Sequence, residues 1–193
     1  GMPLTLANKI TIFRILCVPV FILLITYYNM SVKESNPQAI LRWSATILFF
    51  CTMFLDAVDG YIARTRGQIT RLGTIIDPLA DKALLISSLV ILSKSPEGAF
   101  IVSIPVWYLL IVISRDALLL IGAVIIHVTC GNVVVQPRIS GKATTFFQII
   151  LISWILAGLS PVVFPHLIRI TSALVLYSSA RYTLDGMKQL EKI

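Results

Sequence analysis

Polar residues are sparse along this chain, and they separate apolar runs instead of alternating within them. Six such runs can be drawn, over residues 12–28, 39–62, 74–93, 101–128, 143–159 and 163–185. Each is close to the roughly 17–25 apolar residues that cross a bilayer as an α-helix. The fourth is long enough to tilt or protrude. Ahead of the first run, residues 3–10 mix polar and apolar positions, which predicts a short amphipathic helix lying in the interface. Pro96, Pro105, Pro137, Pro161 and Pro165 mark connections or first turns, where the missing N–H is tolerated. No linker or compositional shift divides the chain. The pattern therefore predicts an all-α integral membrane fold: six transmembrane helices and an N-terminal interfacial helix in a single domain spanning residues 1–193.

Composition supports that reading and excludes a soluble domain. The chain is 57% hydrophobic and only 13% charged, against about a quarter charged in soluble proteins. Its net charge of +7 would suggest nucleic acid in a soluble protein, but the cations sit at the ends of apolar runs without interleaved aromatics. Anionic membrane lipids are the expected partner, and nucleic acid is not. All the cations except Lys33, Arg42, Lys94 and Arg169 fall at one set of span ends. By the positive-inside rule that side is cytoplasmic, which puts both termini inside a cell (inner or plasma) membrane. Cys17, Cys51 and Cys130 are odd in number, lack CxxC spacing and read as small hydrophobes. The first apolar run has no small-residue cleavage site, so no cleavable signal is expected.

Four aspartates break the apolar pattern. Asp56 and Asp59 close the second run, and Asp77 and Asp81 lie in the third. A carboxylate at membrane depth costs about 2.5–3.5 kcal/mol on insertion scales and marks function by default. Spacings of three and four put each pair on one helical face. A short loop between the runs lets the two pairs face each other across a helix hairpin. Carboxylates that close repel unless cations lie among them. Pairing with Arg64, Arg66, Arg71 or Lys82 is one answer; a divalent metal site is the one that four aspartates at these spacings favour. Oxygen-only ligands suit Mg²⁺ or Mn²⁺, and two ions roughly 3.5–4 Å apart are the usual arrangement in phosphoryl chemistry. Gly60 and Ala63 leave room for a ligand near the backbone, Arg64 can grip a phosphate, and Gly73 opens the third run.

The segment Asp56-x2-Asp59-Gly60-x2-Ala63-Arg64-x8-Gly73-x3-Asp77-x3-Asp81 resembles the signature of the CDP-alcohol phosphotransferase family at every defined position. The resemblance extends to length and number of spans. It implies transfer of a substituted phosphate from a CDP-linked lipid to an alcohol, with release of CMP, by an enzyme that is a homodimer. It further implies that Asp56, Asp59 and Asp77 ligate metal, while Asp81 shares in this and acts as general base. Asp59, Gly60, Ala63, Arg64 and Gly73 would line the CDP-lipid site.

The acceptor is less directly written. Arg115, Lys142 and Arg181 are expected near the cytoplasmic ends of the last three runs, where jointly they can hold a phosphate on the alcohol. Pairing of Arg115 with Asp116, and interfacial anchoring of the other two, are the plainer alternatives. Asn8-x2-Thr11-x2-Arg14 and Asp77-Pro78-Leu79-Ala80-Asp81-Lys82 resemble segments of bacterial phosphatidylglycerophosphate synthases within that family. That likeness implies CDP-diacylglycerol and glycerol 3-phosphate as substrates, with Asn8 and Thr11 contacting nucleotide or diphosphate. Helix capping is the simpler role for those two. Inositol phosphate remains an alternative acceptor, and a divalent-cation transporter an alternative class.

Overall fold

The computed structural model describes residues 5–65, 67, 71–131 and 139–192; the side chains at 63–64, 71–79, 130 and 139–140 lie outside the described set. The described residues form helices α1 (Leu6–Lys33), α2 (Ala39–Thr65), α3 (Arg71–Ser93), α4 (Val106–Cys130), α5 (Ile139–Ala157) and α6 (Phe164–Leu190). Each expected run corresponds to one helix. Three of them, α1, α2 and α4, are long and apolar enough by composition to cross a membrane; the apolar stretch of α5, Gly141–Ala157, is shorter. At about 1.5 Å per residue, the 28 residues of α1 reach some 42 Å, more than a hydrocarbon core requires.

Two boundaries differ from expectation for clear reasons. The described part of the amphipathic lead is not a separate element but the first turns of α1. Thr5 caps that helix, its hydroxyl accepting from the Asn8 N–H at 3.2 Å, so the helix simply begins earlier than hydropathy alone indicates. The fourth helix starts at Val106 and not near residue 101, because Pro105 occupies the cap in an extended conformation and disfavours helix before it. Pro19, by contrast, sits inside α1 without ending it, as membrane helices tolerate.

The chain divides into two compact units. The first comprises Gly1–Ser103 with Ile155–Leu159. In it α1 packs against both α2 and α3. The buried face of α1 runs Ala7, Asn8, Thr11, Arg14, Cys17, Val18, Phe21, Ile25, Tyr28 and Ser31, a three-and-four spacing that forms one stripe. The stripe is polar at its N-terminal end and apolar beyond. Phe21 meets Phe49 of α2 with ring centroids 6.0 Å apart, and Tyr28 donates its hydroxyl to the Ala99 carbonyl. Phe13, Leu16, Val20, Leu23 and Tyr27 on the opposite face are exposed, which is where lipid would lie.

The second unit comprises Ile104–Trp154 and Ser160–Ile193, with α4 packed on α6. Tyr108 and Val112 of α4, Thr171 and Val175 of α6, and Thr144 and Gln148 of α5 are all buried.

Candidate active site

In the first unit, three helices deliver side chains to one point. Thr11 and Arg14 are successive members of the α1 stripe, at its polar end. Asp56 and Asp59 come from the last turns of α2, and Asp81 from the middle of α3. The Arg14 guanidinium lies among them. Its NH1 donates to Asp59 Oδ2 at 2.9 Å and forms an ion pair with Asp56 Oδ1 at 3.0 Å, and its NH2 donates to Asp81 Oδ1. The Thr11 hydroxyl also donates to Asp59 Oδ2, at 2.8 Å.

Exposure separates the carboxylates. Asp59 is 3% exposed, closed in beneath Thr11 and Arg14, whereas Asp56 at 38% and Asp81 at 36% keep an open side. A buried ion pair is tolerable only when well hydrogen-bonded, and Asp59 meets that condition with two donors on one oxygen. Among the described carboxylates of the cluster, Asp56 and Asp81 are the two open to the outside.

Asp56 and Asp59 of α2 converge with Asp81 of α3, while the Asp77 side chain lies outside the described residues. The cation among them comes from α1, however, and is none of the four basic partners considered from the sequence. Among the described residues, no three His, Cys, Asp or Glu side chains are disposed as a metal-binding group; Asp56, Asp59 and Asp81 are gathered on a guanidinium instead. Their chemistry nonetheless fits a hard divalent ion, being oxygen donors only.

Other expected site residues fall as follows. Asp77, Ala63 and Arg64 lie on α3 and α2, but their side chains are outside the described residues. Gly60 is helical, one residue beyond Asp59, and Gly73 is in the first turn of α3. Asn8 is buried one turn before Thr11 and is not the cap of α1. Arg14 itself was visible in the sequence only as the end of a short motif and as one of many cations. The available signal was its three-residue spacing from Thr11, which puts both on one helical face.

Of the three cations expected to hold the acceptor phosphate, Arg115 has described contacts in the other unit. Arg115 is buried on α4, its Nε and NH2 donating to Ser178 Oγ of α6 at 3.2 and 3.0 Å and its NH1 to neighbouring Asp116 at 3.3 Å. The plainer reading, an Arg115–Asp116 pair, is therefore present. Gly141 at the start of α5 approaches the same guanidinium: a Cβ built there would stand 3.6 Å from Arg115 NH2 and 2.9 Å from Tyr182 Oη. Arg115, Gly141 and Tyr182 thus come together; Lys142 is exposed on α5. Next to Arg115 runs a groove of about 330 Å³ between Leu110, Leu118 and Leu176, with Ser114 and Ser179. Gly141→Ala would push against Tyr182, whose hydroxyl end can move. A loss of about 1 kcal/mol is expected, read as a fall of roughly 2–4 °C in the unfolding midpoint.

Residues 4–180 match the family model of CDP-alcohol phosphatidyltransferases. Among similar proteins is a CDP-diacylglycerol–glycerol-3-phosphate 3-phosphatidyltransferase of Bacillus subtilis, 34% identical over 154 residues, covering 78% of this chain and 76% of that one. The protein of the same name from Aquifex aeolicus is 32% identical over 160 residues, covering 77% of this chain and 84% of its own. A CMP-forming cardiolipin synthase of Streptomyces coelicolor is 30% identical over 155 residues, covering 78% and 66%.

Proposed function

Because the chain belongs to the CDP-alcohol phosphatidyltransferase family, we propose that it transfers the phosphatidyl group of CDP-diacylglycerol to glycerol 3-phosphate. The products are phosphatidylglycerol phosphate and CMP. The observation that carries the reading is the convergence of Asp56, Asp59 and Asp81, from two helices, at one point of the first unit. The glycerol phosphate acceptor is supported by the names of relatives at 32–34% identity.

The acceptor hydroxyl attacks the phosphorus that carries the diacylglycerol. The bond from that phosphorus to the CMP oxygen breaks, and CMP leaves with the electron pair. The hydroxyl proton passes to Asp81, whose carboxylate has an open side and needs the alcohol within hydrogen-bond reach. Mg²⁺ or Mn²⁺, held as two ions by Asp56, Asp59, Asp77 and Asp81, would supply stabilisation of charge on the diphosphate and on departing CMP. Gly60, Ala63, Arg64 and Gly73 flank the CDP-lipid. Asn8 and Thr11 contact the nucleotide or diphosphate from the first turns of α1, Thr11 also donating to Asp59. Arg115, Lys142 and Arg181 hold the acceptor phosphate. The distribution of cations supports a multi-pass protein of the cell membrane, with both termini and the active site cytoplasmic, and family membership supports a homodimer.

The likeness to a cardiolipin synthase gives the reading its sharpest test. Purified protein in detergent would be given CDP-diacylglycerol, Mg²⁺ or Mn²⁺, and one acceptor at a time: glycerol 3-phosphate, inositol phosphate or phosphatidylglycerol. Release of CMP is expected with glycerol 3-phosphate. Release driven only by phosphatidylglycerol or inositol phosphate would reassign the acceptor. Loss of release in EDTA, with recovery on adding Mn²⁺, is the accompanying expectation for the metal.

A further inference from the structure

We infer that Arg14 is the resident counter-ion of the acidic site: it holds the aspartates in register while metal is absent and gives way when divalent cations enter. The inference rests on the assignment of divalent ions to these aspartates.

Three observations support it. One guanidinium bridges three carboxylates from two helices while itself only 1% exposed. Without it, Asp56, Asp59 and Asp81 would lose the guanidinium that bridges them, and their mutual repulsion would push α2 and α3 apart. Second, Arg14 touches each carboxylate through a single oxygen: Oδ1 of Asp56, Oδ2 of Asp59 and Oδ1 of Asp81. It occupies part of the donor set that a hard cation would use. Third, the remaining guanidinium donor, Nε, is buried and has no hydrogen-bond partner. Among the described residues, every polar contact of the Arg14 head is therefore with the carboxylates, so its hold loosens once they turn to another cation.

The charge balance agrees. Within the bridge itself, three carboxylates meet one guanidinium, which leaves an excess of negative charge there to attract a dication. Arg14 is thus a positioning residue. Its removal would leave the ligands in greater need of metal, so metal should bind more tightly, not less.

The test measures Mn²⁺ affinity by electron paramagnetic resonance, and unfolding midpoints with and without Mn²⁺, for the wild-type chain, Arg14→Gln and Arg14→Lys. The expected result is a Mn²⁺ dissociation constant at least tenfold lower in Arg14→Gln. Its metal-free midpoint should fall several degrees, and most of that loss should return on adding Mn²⁺. Arg14→Lys should lie between, since an ammonium keeps the charge but cannot span three carboxylates with a rigid fork. If Arg14→Gln folds only in Mn²⁺, unfolding on chelation gives the same support; if it never folds, tighter Mn²⁺ binding by Arg14→Lys carries the test. Unchanged or weaker Mn²⁺ affinity in the variants, while the wild type binds Mn²⁺ and Asp56→Asn does not, would overturn the counter-ion role alone. A wild-type chain that binds no Mn²⁺ would remove the metal assignment and this inference together.

Discussion

Asp81→Asn is expected to lower turnover by about a thousandfold while leaving CDP binding within a few-fold of wild type. A positioned general base contributes roughly 10²–10⁴ to rate, and an amide cannot accept the acceptor's proton. Asp81 is well suited to the exchange. Its carboxylate has an open side, and its partner Arg14 is also held by Asp56 and Asp59. The substitution keeps the shape and removes one of three partners of Arg14, so the helices should still assemble. Turnover is read from CMP release and binding from calorimetry with CDP. Loss of CDP binding in parallel with turnover would mean that Asp81 serves chiefly to hold metal and nucleotide.

Arg115→Gln is expected to reduce kcat/KM for glycerol 3-phosphate by roughly 10–100-fold, with the KM for CDP-diacylglycerol little changed. A charge-assisted hydrogen bond is worth about 1.5–3 kcal/mol, and each 1.4 kcal/mol is tenfold. The buried guanidinium already engages Ser178 and Asp116. A purely structural role would therefore show as a lower unfolding midpoint with both KM values moving together. A selective rise in the acceptor's KM marks phosphate binding. Arg115→Lys should recover part of the loss, since it keeps the charge without the fork.

The helices were legible because hydrophobic runs of bilayer length are a strong pattern, and each run found its helix. Their ends were less so. Pro105 moved the start of α4, and the Thr5 cap extended α1 through a segment whose mixed polarity suggested a separate piece. The aspartate pairs were legible from spacing and from the cost of charge in an apolar segment. Arg14 was not, because its meaning depends on α1 packing against both α2 and α3, and no local pattern states which helices become neighbours. The same holds for Tyr182, a residue of α6 whose closeness to Gly141 of α5 no local pattern states. Sequence exposes residues that are costly where they stand; it conceals partners that become meaningful only once helices meet.

The central claim is transfer of an intact phosphatidyl group onto glycerol 3-phosphate. It is tested most directly by supplying glycerol 3-phosphate labelled in its phosphate, with CDP-diacylglycerol and Mn²⁺, and following label and CMP together. The account predicts that label enters the lipid fraction in one-to-one proportion to CMP released. Release of CMP with the label left wholly in the aqueous phase would contradict it.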